Sequence, residues 1–496
     1  MQSPQCILVL QNRSVLNVWT KITAACKARS VTFLSLLTVI LPGALVFSTP
    51  SGLVAQTATR PNIIVIMTDD QRLDDLQVMT KTKNLIGDAG TTFNTFFASF
   101  PLCCPSRATF LTGQYAHNHG VLGNSPPLGG IGKLNQNNTL PLWLQTAGYV
   151  TSHIGIYVNG YTNSMGIPPG WNDWQGLPTG APLYNYNLND NGRIVHYGTA
   201  PQDYQTDVLA NRAVATIRRL ASNQQPFFLN IWVRVPHTEE SVSGFPNPRP
   251  APRHVGAFDN KALPRPPSFN EADVSDKPAG IRNLPLLTAT DIKAITNRYR
   301  SRLATLLAVD DLVGAVVNKL DNVGELDSTV IIFTSDNGFF QGEHRIKAGK
   351  DQVYEEAVRV PLLIRGGGFP QGATREQIVA NIDLAPTIVG LANATPGRLQ
   401  DGRSLLPIAL DPSLAATRDI LLETPGFKAV RNKKFVYVEY KGGAQELYDF
   451  RNGTPNYDPY QLQNRQANPA YAGDKSQLAA TLSQLRSCSG EGCQRQ

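Results

Sequence analysis

The stretch that decides the fold is PNIIVIMTDDQ, Pro61 to Gln71. Its apolar, largely β-branched run from Ile63 to Met67 shows no polar alternation, so it reads as a strand buried on both faces, the pattern of a parallel sheet. The run ends in Asp69 and Asp70, which puts carboxylates at the carboxyl end of that strand. Far downstream STVIIFTSDNG repeats the design, with Val330 to Thr334 as strand and Asp336, Asn337 and Gly338 at its end. PFFLNIWV (Pro226 to Val233) and VPLLIRGGG (Val360 to Gly368) read as further core strands. Between them, TDIKAITNRYRSRLATLLAVDDLVGAVVNKL carries Ile292, Ile295, Tyr299, Leu303 and Leu306 at helical spacing. Strands alternating with helices predict an α/β fold with a mostly parallel central sheet flanked by helices. Ligands of such sheets sit beyond the carboxyl ends of the strands, here the acidic ones.

Two segments interrupt this alternation: the Gly/Asn/Tyr-rich GIPPGWNDWQGLPTGAPLYNYNLNDNG from Gly166, and the proline-rich stretch from Phe245 to Pro285. Both are expected as long rim loops over the site. After DGRSLLP (Asp401 to Pro407) the short strand patterns KAVRNKKFVYVEY and QELYDF predict a small α+β subdomain. The expected organisation is a leader over residues 1–58, a catalytic domain over 59–400, and a C-terminal subdomain and tail over 401–496.

The composition, 42% hydrophobic and 17% charged, is that of a folded globular chain. The formal charge of +7 owes four units to Arg13, Lys21, Lys27 and Arg29, and removing those four leaves +3, too little for a nucleic-acid footprint. The four cations precede the uncharged VTFLSLLTVILPGALVF and then small polar residues, the order of a secretory signal. Export is the expectation, with a retained membrane anchor second. No later stretch is apolar for long enough to span a bilayer.

Cys6 and Cys26 leave with such a leader, and Cys103, Cys104, Cys488 and Cys493 remain. Cys488 and Cys493, five residues apart, are expected to close a disulfide in an oxidising compartment. Adjacent cysteines cannot readily pair, so Cys103 and Cys104 need another explanation. They open PLCCPSRATFLTGQYAHNHG, in which Pro105 suits the first turn of a helix. Cys103 then sits at a helix start, a position expected to lower a thiol's pKa and to favour anions, and Arg107 is spaced to turn back towards it. Asp69, Asp70, Asp336 and Asn337 offer hard oxygen ligands, which suit Ca²⁺ or Mg²⁺.

These motifs resemble the type I sulfatases of the alkaline-phosphatase superfamily. Cys103, Pro105, Ser106 and Arg107 match their CxPSR core, and Leu111 to Gly113 match its extension. The resemblance implies an alkaline-phosphatase-like fold and the conversion of Cys103 to Cα-formylglycine by a formylglycine-generating enzyme that reads this motif. It also implies Ca²⁺, or Mg²⁺, on Asp69, Asp70, Asp336, Asn337 and the modified Cys103. Arg107 and Lys350 are implied on the sulfate, and His237 near the leaving oxygen. The implied reaction is hydrolysis of a sulfate monoester carried by a small molecule or a sugar. The CCPSR form, the HNH at His117 to His119 and the PPGW at Pro168 to Trp171 look most like the branch with N-acetylglucosamine-6-sulfatases.

Several assignments have rivals. Lys347 lies three residues before Lys350 in the same loop. His117 and His119 either line a substrate pocket or satisfy a helix terminus, and Tyr157 and Asn159 are expected close to the site. Where the branch has GKYLN this chain reads GIYVN, so Ile156 replaces a lysine, and Gln114 stands where Lys or Arg is common. His153, Lys133 or a shifted metal are the candidates to compensate. Two alternatives to a working sulfatase follow: an impaired homologue that binds sulfated glycans, and a phosphonate or phosphodiester hydrolase of the same superfamily.

Overall fold

Residues 60–223, 225–239, 247–414 and 417–494 are described by a computed structural model; the leader lies outside them. The buried run after Arg60 forms strand β1 (Asn62–Asp69), inaccessible along its whole length. It pairs in parallel with β8 (Phe227–Pro236) on one side and β9 (Thr329–Ser335) on the other, with Thr68 opposite Ser335. This register brings the Asp69–Asp70 and Asp336–Asn337 pairs to one edge of adjacent strands. Beyond β8 the parallel run continues through β4 (Val150–Ile156) and β5 (Asp173–Leu177).

The margins turn antiparallel. On one side β6 (Tyr186–Asp190) and β7 (Arg193–Tyr197) follow β5 as a hairpin. On the other, β10 (Leu362–Arg365) runs against β9 and joins β2 (Thr91–Phe93), which pairs with β11 (Ala373–Arg375). The result is a ten-stranded mixed sheet with a parallel centre. The segment from Gly166, expected as a loop, contributes β5 and β6. Its glycines and asparagines mark turns around a short run in which Trp174 and Leu177 are fully buried.

Helix α1 (Cys103–Thr112) is buried throughout and ends at Gly113, whose left-handed backbone (φ 66°) closes the helix by donating to the Thr109 carbonyl. A four-residue turn, α2 (Ala116–His119), follows directly. Helices α3 (Gln205–Leu220) and α4 (Ala289–Asn322) pack on each other and on β8. Helix α4 starts in a capping box: the Thr288 hydroxyl accepts from Asp291 N and Thr288 N donates to the Asp291 carboxylate. The expected C-terminal strands form an antiparallel sheet of β13 (Ile420–Glu423), β14 (Phe427–Arg431), β15 (Phe435–Tyr440) and β16 (Gln445–Asp449). Two two-residue strands, β3 (Phe96–Phe97) and β12 (Val379–Ala380), pair in parallel as a separate small sheet. Leu421, Val430, Tyr437 and Leu482 share one apolar cluster with Phe97 of β3, Tyr115 just before α2 and Ile382, so the C-terminal sheet packs on the segments that flank α1. Among the described residues no helix is long and apolar enough to cross a membrane.

Candidate active site

The two acidic strand ends and the start of α1 converge. Arg107 Nη2 lies 2.6 Å from Asp69 Oδ2 and 2.8 Å from Asp336 Oδ2, so one guanidinium bridges the carboxylates of β1 and β9. Its other nitrogen donates to the Tyr157 carbonyl at 2.9 Å and to Asn159 Oδ1 at 3.4 Å, which brings the loop after β4 to the site. Cys103 Sγ is 3.3 Å from Asp69 Oδ1 and 2.9 Å from Lys350 Nζ, and the same ammonium contacts Asp70. His237, at the end of β8, holds Nε2 3.7 Å from Asp70 Oδ2, and its Nδ1 donates to the Thr238 carbonyl at 2.6 Å. Lys347 pairs instead with Asp291 in solvent.

The main chain is arranged around these groups. Asp70 has a left-handed backbone (φ 71°), an unfavourable conformation of the kind that collects at functional sites. Gly338 is required where it stands, because a Cβ there would meet the Glu356 carbonyl at 2.1 Å. Its N–H donates to Ala357 O, and Phe339 N donates to Glu356 O, both at 2.9 Å.

Three further residues hold the site in place. Buried Arg302 of α4 donates to the carbonyls of Asp70 and Pro236, at 2.5 and 3.0 Å. Ser106 Oγ donates to the Asp336 carbonyl at 2.5 Å and accepts from Asn381 Nδ2 at 3.0 Å. Arg302 left a trace in the sequence, a charge on the helix face shared by Tyr299 and Leu303. Asn381 left none, since its partner lies 275 residues away.

Electrostatics follow from burial and crowding. Burial alone would raise the Asp69 carboxyl, but Arg107, His237 and Lys350 hold it well below the usual range. Burial and then repulsion from Asp69 push Asp336 up to about 7. Burial followed by Asp69 drives the Cys103 thiol well above its ordinary value. The helix start was expected to lower it; burial, together with three nearby carboxylates, outweighs the partial charge of one helix end. Lys350 and Arg107 are raised despite burial, by Asp70 and by Asp69 respectively.

Donor atoms of Asp69, Asp70, Cys103 and His237 lie within 4.8 Å of one another. Asn337 Nδ2 donates to Asp70 Oδ1 at 2.7 Å, leaving its own Oδ1 buried with no hydrogen-bond partner. Asp69, Asp70 and Asp336 bring three carboxylates against the cations of Arg107 and Lys350, and most donors are hard oxygens. This set fits a divalent cation of the Ca²⁺ or Mg²⁺ kind, with the thiol the one soft member.

The histidines of HNH have other partners. His117 Nδ1 faces Glu423 at 3.0 Å and Nε2 faces the Cys488 carbonyl at 2.9 Å. Both partners are acceptors, which favours the doubly protonated ring, and against burial these bonds raise its pKa. His119 pairs with Thr109 Oγ1 and accepts from Val121 N; burial pulls it down to about 3. Cys488 and Cys493 form the expected disulfide. Ile156 is the last residue of β4 and lies in the apolar core. His153 donates to the Ile156 carbonyl from within an aromatic cluster of Trp174, Trp232, Trp171 and Tyr157, and burial lowers it to about 3. It is neutral and supplies no charge in place of the missing lysine.

A sequence profile described as "Sulfatase" matches residues 61–394, and one described as "N-sulphoglucosamine sulphohydrolase, C-terminal" matches residues 342–488. The chain belongs to the sulfatase family. Within it, this sulfatase sides with the N-acetylglucosamine-6-sulfatase branch: it is 38% identical over 410 residues to N-acetylglucosamine-6-sulfatase of Homo sapiens, across 79% of this chain and 71% of that protein. It is also similar to a solved complex with the substrate D-glucosamine-2-N,6-O-disulfate, at a TM-score of 0.72 and 25% identity over 88% of this chain and 98% of that one. The phosphonate monoester hydrolase of Agrobacterium radiobacter shares the fold, with a TM-score of 0.65 and 22% identity over 86% and 95% of the two chains. As a sulfatase the chain is an enzyme that hydrolyses sulfate esters.

Proposed function

We propose that this sulfatase removes sulfate from a sulfated glucosamine-type sugar, with Cys103 converted to Cα-formylglycine and a Ca²⁺ ion on Asp69, Asp70, Asp336 and Asn337. The observation that carries the reading is the setting of Cys103: buried, 2.9 Å from the Lys350 ammonium and 3.3 Å from the Asp69 carboxylate, where the acidic ends of β1 and β9 meet the start of α1. A hydrated aldehyde supplies two hydroxyls on that carbon, and a divalent cation supplies charge for a sulfate oxygen.

The chain's own residues do the rest. Arg107 and Lys350 neutralise the sulfate oxygens, and Asn159 with the Tyr157 carbonyl fixes the guanidinium plane. His237 is partly exposed, its Nδ1–H committed to Thr238 O. In its imidazolium form Nε2, beside Asp70, carries the proton that the departing sugar oxygen needs. The relatives' printed names and substrate support a 6-sulfated glucosamine. Export is part of the proposal, supported by the basic-then-apolar leader and by a disulfide that a reducing cytosol would open.

The test is to co-produce the protein with a formylglycine-generating enzyme and examine the peptide over Pro101 to Arg107 by mass spectrometry, while measuring sulfate released from glucosamine 6-sulfate. Aldehyde together with sulfate release is the expected result. Confirmed aldehyde without release sinks the reading, and faster turnover of a phosphonate ester moves the chain to the other chemistry of its fold.

A further inference from the structure

A cavity of about 550 Å³, within the roughly 300–1,000 Å³ of small-ligand sites, is lined by the chain neighbours of Cys103 and Lys350. Among the segments that wall it are Leu102, the pair Asp351–Gln352, the 278–281 turn, and the β13–β14 turn from Thr424 to Phe427. Leu102 directly precedes Cys103, and Asp351 directly follows Lys350. Asp351 N donates to the Pro101 carbonyl at 3.0 Å, so the two segments that present the nucleophile and the sulfate-facing lysine are stitched together at this wall.

Asp351 has a left-handed backbone (φ 72°), the second such aspartate near the site after Asp70. Its carboxylate and the Gln352 amide make no hydrogen bond or ion pair among the described residues, although both line the cavity. Around them Leu102, Ile281 and Phe427 offer apolar faces. A free carboxylate repels the sulfate, so what it meets is the uncharged part of the substrate, and a ring edge bearing hydroxyls donates to it. A 6-O-sulfate stands one methylene off its ring, which suits a ring seated beside Cys103 while the sulfur reaches it.

We propose, resting on the sugar-sulfate reading above, that this cavity seats the sugar ring of the substrate and that Asp351 and Gln352 are specificity-determining residues that accept hydrogen bonds from its hydroxyls. The C-terminal sheet thereby contributes one wall of the substrate site.

The matured enzyme tests this with glucosamine 6-sulfate and cyclohexylmethyl sulfate, which share the CH₂–O–SO₃ arm and differ in the polar groups of the ring, and with glucose 6-sulfate, which keeps the hydroxyls without the amine. Asp351→Ala is expected to raise KM for the sugar at least about tenfold and to cut its kcat/KM advantage over the cyclohexyl ester by a similar factor, because a site built to bond hydroxyls discriminates against a ring without them. Asp351→Asn, which keeps an acceptor, restores part of that advantage. Gly280→Trp places an indole on another part of the lining, where a Cβ meets nothing within 4 Å, and with the fold checked by its unfolding midpoint KM for the sugar is expected to rise. If both Asp351→Ala and Gly280→Trp keep KM and the ratio within twofold, the proposal is overturned. If the parent enzyme cleaves neither ester, the functional reading fails instead, and calorimetric binding of glucosamine 6-sulfate decides the cavity: tenfold weaker binding by Asp351→Ala upholds it, equal binding refutes it.

Discussion

Helix α1 carries a buried charge cluster at each end, and the two are built differently. At its start, Asp69, Asp70 and Asp336 crowd around Arg107, Lys350 and Cys103, and Asn337 Oδ1 is left over. Beyond its end, Asp401 accepts from Tyr115 N, Asn118 Nδ2 and Gly490 N at 2.7–2.8 Å, while Glu423 accepts from His117 and Lys428. Asp336 and Glu423 are equally inaccessible, yet burial and Asp69 lift the first to about 7, whereas the second falls to about 2, against its burial, because His117 and Lys428 donate to it. A cluster meant to receive something keeps unmet demand; a cluster meant to hold the chain meets all of it.

The largest expected effects break the first cluster. Cys103→Ala should lower sulfate-ester turnover at least about 10³-fold, the scale for losing a nucleophile. Arg107→Lys should cost roughly 10²–10³-fold, since a point charge cannot bridge two carboxylates as a fork does. Neither change should alter the response of the second cluster to pH. Chelation with excess EGTA should abolish sulfate release, and added Ca²⁺ should restore it; full activity after exhaustive chelation would remove the metal from the proposal.

Smaller effects separate stability from chemistry. Glu423→Gln should cost about 3 kcal/mol in denaturant unfolding, because it strands a charged, largely buried His117, and should leave kcat within roughly threefold. The sign of the pH dependence differs for the two partners. Glu423 is depressed below 4.5, so its contribution is present above 4.5 and is lost as pH falls towards about 2. His117 is raised above 6.5, so its contribution is full below 6.5 and is lost as pH rises through the raised value. Stability from this pair should therefore form a plateau between about 4.5 and 6.5 that Glu423→Gln flattens, measured as Tm against pH. Least of all, Lys347→Ala should change rate less than twofold and stability by under about 1 kcal/mol, because its partnership with Asp291 lies in solvent.

The same comparison marks what the sequence could reveal. β1 and β9 were legible because a strand buried on both faces leaves an unbroken apolar run, and the carboxylates were legible because they end two such runs. The choice of Lys350 over Lys347 rested on resemblance, and the structure gives it a physical form: one lysine turns inward to Asp70, the other outward to Asp291. The role of HNH was not legible, because its partners Glu423 and Cys488 lie 306 and 371 residues away. The strands β5 and β6 were hidden among turn residues, since glycine and asparagine mark the bends and say nothing of short runs between them. The antiparallel direction of β10 leaves no local trace either, because a short buried strand reads alike in both directions.

Gly338 has one more consequence. The exit of β9 is sewn to the 356–357 backbone by two backbone hydrogen bonds, with no room for a methyl group between them. The position of the Asp336–Asn337 end relative to the 356–357 segment is therefore set by peptide against peptide, a ruler with no side chain in it. Replacing the side chains of Glu356 or Ala357 leaves that ruler intact, whereas a single added carbon at Gly338 stretches it.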